Sequence, residues 1–240
     1  MKFFMIGDSW GCGAYEIIND DFKLIPESGV ASFLSQAGHT VRNESVGGAG
    51  NFGQLRHANH LLETEGNDYD YIIWIHTEPI RDAIQIIVED PIDGPIQFPD
   101  FDTTDFFVAM KYINEQNYKF AQQMYTDHQV PFVVVGGCSA IDTSINNYSF
   151  AEIKIVSWMN ELLKLDSSLS VNCYPDRIYR FLTCRGRQIN KSQIIDEIEN
   201  MYKLETAMKT HPEFPDNLHP SSECYEKLAH RILGMIDAGI

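Results

Sequence analysis

The sequence predicts an α/β protein, a three-layer α/β/α sandwich on a mainly parallel sheet. Two observations carry this. Short runs that are continuously or nearly continuously apolar, not alternating, stand at residues 3–6, 69–75 and 131–135, which is how strands buried on both faces read. Between them lie longer segments with apolar residues at helical spacing, so strands and helices alternate. The 240 residues suffice for one sizeable domain and do not force a second. A single domain over 1–240 is therefore expected, with insertions around 86–105 and 139–190.

Each element follows from its residues. Residues 3–6 form a buried strand that stops at Gly7-Asp8-Ser9, a tight turn. Residues 28–36 carry Val30, Phe33 and Leu34 at helical spacing and end before Gly38, a helix-stop residue. A second strand is expected over 40–46. It leads into Gly47-Gly48-Ala49-Gly50-Asn51, a loop whose backbone amides can approach a ligand, with Asn51 as cap of a helix ending at Gly66. Residues 69–75 give a third strand. The acidic, aromatic, proline-bearing stretch 86–105 has no period and reads as an excursion, either a lid over a site, an oligomer contact or a surface loop. A long helix is expected over 106–128, a fourth strand over 131–135, and helices over 150–165, 191–210 and 221–236.

Composition narrows the partners. A net charge of −16 repels phosphate backbones, so a nucleic-acid partner is not expected. The cysteines (Cys12, Cys138, Cys173, Cys184, Cys224) are odd in number and lack a C-x-x-C pair. That disfavours a disulfide framework or a zinc ribbon and fits reduced thiols. Neither a signal peptide nor a membrane span is visible, so a cytoplasmic protein without a membrane partner is expected; incorporation into a larger particle stays open.

The chemistry-bearing residues lie at the two ends of the chain. In an open parallel sheet, reactive groups collect just beyond the carboxyl ends of strands, where Ser9 is placed. A serine hydroxyl needs a base that a third group positions. Pro215-Asp216-Asn217-Leu218-His219-Pro220, just before the last helix, offers both. Asp-x-x-His alone is a common pattern; its weight comes from standing opposite Gly-Asp-Ser. The glycine loop lacks a P-loop lysine and the dinucleotide spacing, which argues against a nucleotide site. Trp10 is a candidate pocket wall, with packing as the alternative. Asp8 reads as a turn-holding side chain and Cys12 as a resting thiol.

On Gly7-Asp8-Ser9, the glycine loop and Asp216-x-x-His219-Pro220, in that order, the chain resembles the SGNH (GDSL-like) hydrolase family. The resemblance implies a flavodoxin-like sandwich, hydrolysis of esters or O-acetyl groups (carbohydrate esters among them), and neither cofactor nor metal. It makes Ser9 the nucleophile, His219 the general base and Asp216 its orienter. The oxyanion hole would comprise the Ser9 amide, the Gly48 amide (Gly50 as alternative) and a third donor after the third strand. There the chain departs from the family: His76-Thr77-Glu78-Pro79 stands where Gly-x-Asn-Asp is usual, and Glu78 falls on the asparagine's place. An ionised carboxylate donates no hydrogen bond. Either Thr77 or His76 donates instead, or Glu78 is protonated, or Glu78 turns away and pairs with Arg81. The alternative function is a weakly active or inactive module on the same scaffold, binding or structural, in a larger assembly such as a virion. Acyl transfer to an acceptor other than water is a third. Oligomeric state is not legible.

Overall fold

The computed structural model describes residues 1–19, 21–79, 81–82, 106–137, 139–164, 203, 206–215 and 219–239. Strands β1 (Lys2–Gly7), β4 (Thr40–Asn43), β5 (Tyr71–His76), β6 (Phe132–Gly136) and β7 (Ala151–Ile155) pair in parallel in the order β4–β1–β5–β6–β7. Strands β2 (Ala14–Ile18) and β3 (Asp21–Ile25) form a separate antiparallel hairpin. The α-helices whose full extent lies among the described residues include α1 (Ser9–Cys12), α2 (Val30–Gln36), α3 (Asn51–Glu65), α4 (Phe106–His128), α5 (Trp158–Leu163) and α6 (Ser222–Asp237).

Both faces of the sheet are covered, because the central strands β1, β5 and β6 are buried on both. Phe3, Met5, Ile73, Ile75 and Val133 pack against Leu34 of α2, Met159 of α5 and Leu228 and Ile232 of α6. Their neighbours in the same strands, Phe4, Ile6, Ile72, Trp74 and Val134, pack the other way, against Leu55 and Leu62 of α3 and Tyr118 and Met124 of α4. Full burial of one such side chain stabilises by roughly 1.5–3 kcal/mol. The result is the three-layer α/β/α sandwich expected from the sequence. No helix among the described residues is long and apolar enough to cross a membrane.

The topology places a crevice. After β1 the chain crosses by α2 to the edge strand β4, then returns by α3 on the opposite face to β5, on the other side of β1. The reversal leaves an opening beyond the carboxyl ends of β1 and β5, the usual ligand position in open α/β sheets.

Two expectations are corrected, and one element was not anticipated. The helix expected over 150–165 is β7 followed by the short α5: Ala151, Ile153 and Ile155 are buried while Glu152 is exposed, a period of two. The start of the stretch expected as an insertion thus supplies the sheet's edge strand. Asn51 is not a cap; Gly50 holds that position without a side-chain bond, and the Asn51 side chain turns inward. The β2–β3 hairpin was not expected at all, although Asn19, at φ 54°, stands between two strand-forming runs in a two-residue loop. The excursion over 86–105 lies outside the described residues, as does most of the helix expected over 191–210, of which residues 206–210 are described and helical.

Candidate functional site

The turn after β1 is built by Asp8. Its Oδ1 accepts the Trp10 amide at 3.0 Å and caps α1. A Cβ on Gly7 would lie 2.7 Å from the Ile75 Cβ, so β1 and β5 can run this close only with glycine there. Ser9 follows as the first residue of α1, half-buried, its amide without an acceptor among the described residues. Helix geometry leaves first-turn amides free in just this way.

The glycine loop is held beside that turn. Beyond β4 the chain still tracks β1, with the Glu44 amide donating to Met5 O at 2.8 Å and the Val46 amide to Gly7 O at 3.0 Å. Asn43 Nδ2 donates to Gly11 O at 2.8 Å. Gly48 then adopts φ 80°, a conformation that favours glycine, and its amide too has no acceptor among the described residues.

From the far end of the chain comes His219, three residues before α6. Its Nε2 lies 2.9 Å from Ser9 Oγ, a contact that spans 210 positions of sequence. In the tautomer with its proton on Nδ1, Nε2 accepts the serine hydroxyl. His219 is buried, and the Tyr15 ring of β2 stacks on the imidazole with centroids 4.0 Å apart and planes at 22°. Asp216, the expected orienter, lies outside the described residues.

The segment after β5 differs from expectation at each donor. Thr77 Oγ1 donates to Asp8 Oδ2 at 2.7 Å and the Thr77 amide to Asn51 Oδ1 at 2.9 Å, so Thr77 directs its donors to protein acceptors and not to an oxyanion. Glu78 is fully buried and pairs through Oε2 with Arg81 Nε at 2.6 Å; of the three alternatives for it, pairing with Arg81 is the one found. Arg81 Nη2 reaches Asp8 Oδ2 at 3.1 Å. His76 is fully buried, with Nε2 3.3 Å from Asn114 Oδ1, and burial pushes its pKa down to about 4. Asp82, also buried, accepts from the Phe52 amide and from Asn117, and burial raises its pKa to about 6.

Trp10 packs in the core against Phe214, which favours the packing alternative over a pocket wall. The Cys12 thiol lies against Asp8 O and Ser45 O, and burial, then the Asp8 charge, raises its pKa to about 11, which keeps it a thiol. No group of three or more His, Cys, Asp or Glu able to hold a metal occurs among the described residues.

Sequence reasoning missed Tyr15 and the inward roles of Asn51 and Asp82. The strand alternation around Asn19 was the available signal for Tyr15. Asn51 and Asp82 gave none, since their partners are distant in sequence.

No family model matches the chain, and no curated protein matches it either. Solved structures similar to it include three bacterial proteins. A member of the lipolytic protein G-D-S-L family from Veillonella parvula is 13% identical, covering 98% of this chain and 97% of that one, with a TM-score of 0.46. A carbohydrate acetylesterase family member from Sinorhizobium meliloti is 12% identical, covering 100% and 99%, with a TM-score of 0.47. A lipase/acylhydrolase from Enterococcus faecalis is 15% identical, covering 99% and 95%, with a TM-score of 0.42. At such identities and scores these likenesses add nothing to the chemistry of the site, which rests on its own side chains.

Proposed function

We propose that the chain is a serine hydrolase of the SGNH type that cleaves ester or O-acetyl groups of a small-molecule or glycan substrate. The observation that carries this is the 2.9 Å contact between Ser9 Oγ and His219 Nε2, at the carboxyl edge of a parallel sheet and at its topological switch. A hydroxyl and an imidazole in hydrogen-bond reach are the minimum for nucleophilic acyl transfer.

Ser9 Oγ attacks the acyl carbonyl as His219 Nε2 takes its proton. The tetrahedral intermediate expels the alcohol, to which the imidazolium returns that proton. Water, activated by the same imidazole, then releases the acid and restores Ser9. Asp216, by its place in the motif, holds the imidazole by Nδ1. The amides of Ser9 and Gly48, both without acceptors among the described residues, are the oxyanion donors. Thr77 and Glu78 are left out of that pair, because the Thr77 hydroxyl and amide donate to Asp8 and Asn51 and the Glu78 carboxylate takes Arg81 through Oε2. No step calls for a cofactor.

A fluorophosphonate probe tests the reading. Stoichiometric labelling of the wild-type protein at Ser9 is expected, with Ser9→Ala unlabelled and its p-nitrophenyl acetate hydrolysis lowered by at least about a thousandfold. A folded wild-type protein that neither labels nor turns over short acyl esters and acetylated glycans would sink the hydrolase and leave the inert scaffold.

A further inference from the structure

We propose that Arg81 is a positioning residue for the Ser9 nucleophile, a role that rests on the serine-hydrolase reading of the site. Asp8 links Gly7, the last residue of β1, to Ser9, the first of α1, so the placement of its carboxylate governs how the chain enters the nucleophile. One oxygen of that carboxylate closes the turn locally, on the Trp10 amide. The other is held from across the sheet, by Thr77 Oγ1 at 2.7 Å and Arg81 Nη2 at 3.1 Å, both from the segment after β5. Arg81 is in turn aimed by Glu78, which takes its Nε at 2.6 Å, while the Arg81 amide donates to Glu78 O at 3.1 Å.

The three charged side chains are all buried: Asp8 is 1% exposed, Glu78 0% and Arg81 9%. Charge-assisted bonds are strong in such surroundings, and a buried charge that loses its partner is costly. The guanidinium therefore has one favourable placement, with two nitrogens of a single plane serving two carboxylates. A lysine ammonium is a point donor and cannot reproduce that fork. Glu78, on the place of a substrate-facing asparagine, thus acts on the turn: it orients the arginine that fixes Asp8. If the fork is lost, Ser9 Oγ drifts relative to His219 Nε2, and small misplacements of reacting atoms are expensive in rate.

The test compares wild type, Ser9→Ala, Arg81→Lys and Glu78→Ala in the full chain. It measures fluorophosphonate labelling rate and steady-state p-nitrophenyl acetate hydrolysis, each per folded molecule by near-UV circular dichroism. Arg81→Lys keeps the charge and loses the fork; Glu78→Ala leaves the arginine without its orienting carboxylate. Both are expected to lower labelling rate and kcat by about ten- to a hundredfold, with KM within about threefold of wild type. Should Arg81→Lys fail to fold, Glu78→Ala carries the test alone. Wild-type rates in the folded variants, or a loss confined to KM, would overturn the positioning role while leaving the hydrolase intact. A wild-type protein that labels no better than Ser9→Ala would overturn both.

Discussion

Replacing Asp82 by asparagine should make stability fall more steeply with acid than it does in the wild-type protein. Two fully buried groups near the site titrate in opposite senses. Burial lowers His76 from 6.5 to about 4 in the folded protein, so between those values the unfolded chain binds more protons and stability falls as pH falls. Burial raises Asp82 from 3.8 to about 6, so over that window the folded protein binds more protons and stability rises as pH falls. At about 1.4 kcal/mol per pH unit, moving from pH 7 to pH 4 removes about 3 kcal/mol through His76 and returns about 2 kcal/mol through Asp82. In wild type the two nearly cancel. The Asp82→Asn variant lacks the second contribution and should lose about 2 kcal/mol more than wild type over the same interval. Other groups titrate alike in both proteins and drop out of the difference. Urea titrations at pH 7 and pH 4, with m-values checked for constancy, read it directly. If the two proteins run parallel across that range, Asp82 does not titrate as a buried acid and this electrostatic account fails.

Two further outcomes follow from the site. Tyr15→Ala removes the ring stacked on His219 and should lower kcat by about two- to tenfold, as expected for an aromatic contact worth about 0.5–1.5 kcal/mol. Tyr15→Phe should keep wild-type kcat; if it is as slow as Tyr15→Ala, the hydroxyl and not the stack matters. Asn51→Ala strands the Thr77 amide and carbonyl and the Trp74 indole N–H, all bonded to Asn51 at 2.8–3.2 Å. Leaving such buried groups unpaired should cost about 3 kcal/mol or more in chemical denaturation, and a loss under about 1 kcal/mol would show that water replaces the asparagine.

Much of the layer architecture was written in local pattern. The apolar runs at β1, β5 and β6 announce strands covered on both faces, and the 106–128 periodicity ends where α4 ends, because burial on two faces and helical spacing are local signals. Residues 150–165 misled because a strand and a short helix in succession imitate one helix with apolar residues at mixed spacing.

The sequence by itself determined which side chains carry candidate chemistry: Ser9 after a buried strand, His219 before the last helix, and an acid at position 78. Tertiary structure alone decided what those residues face. It brought Ser9 and His219 to 2.9 Å, turned Glu78 onto Arg81, drew Arg81 to Asp8, and laid Tyr15 over the imidazole. The reason is physical. Whether a residue is helical depends on its near neighbours, whereas the direction of a buried polar side chain is set by whichever partner the packing brings within hydrogen-bond reach. For Glu78 one partner is three residues away, yet the Asp8 carboxylate that shares its arginine arrives only when β1 pairs with β5.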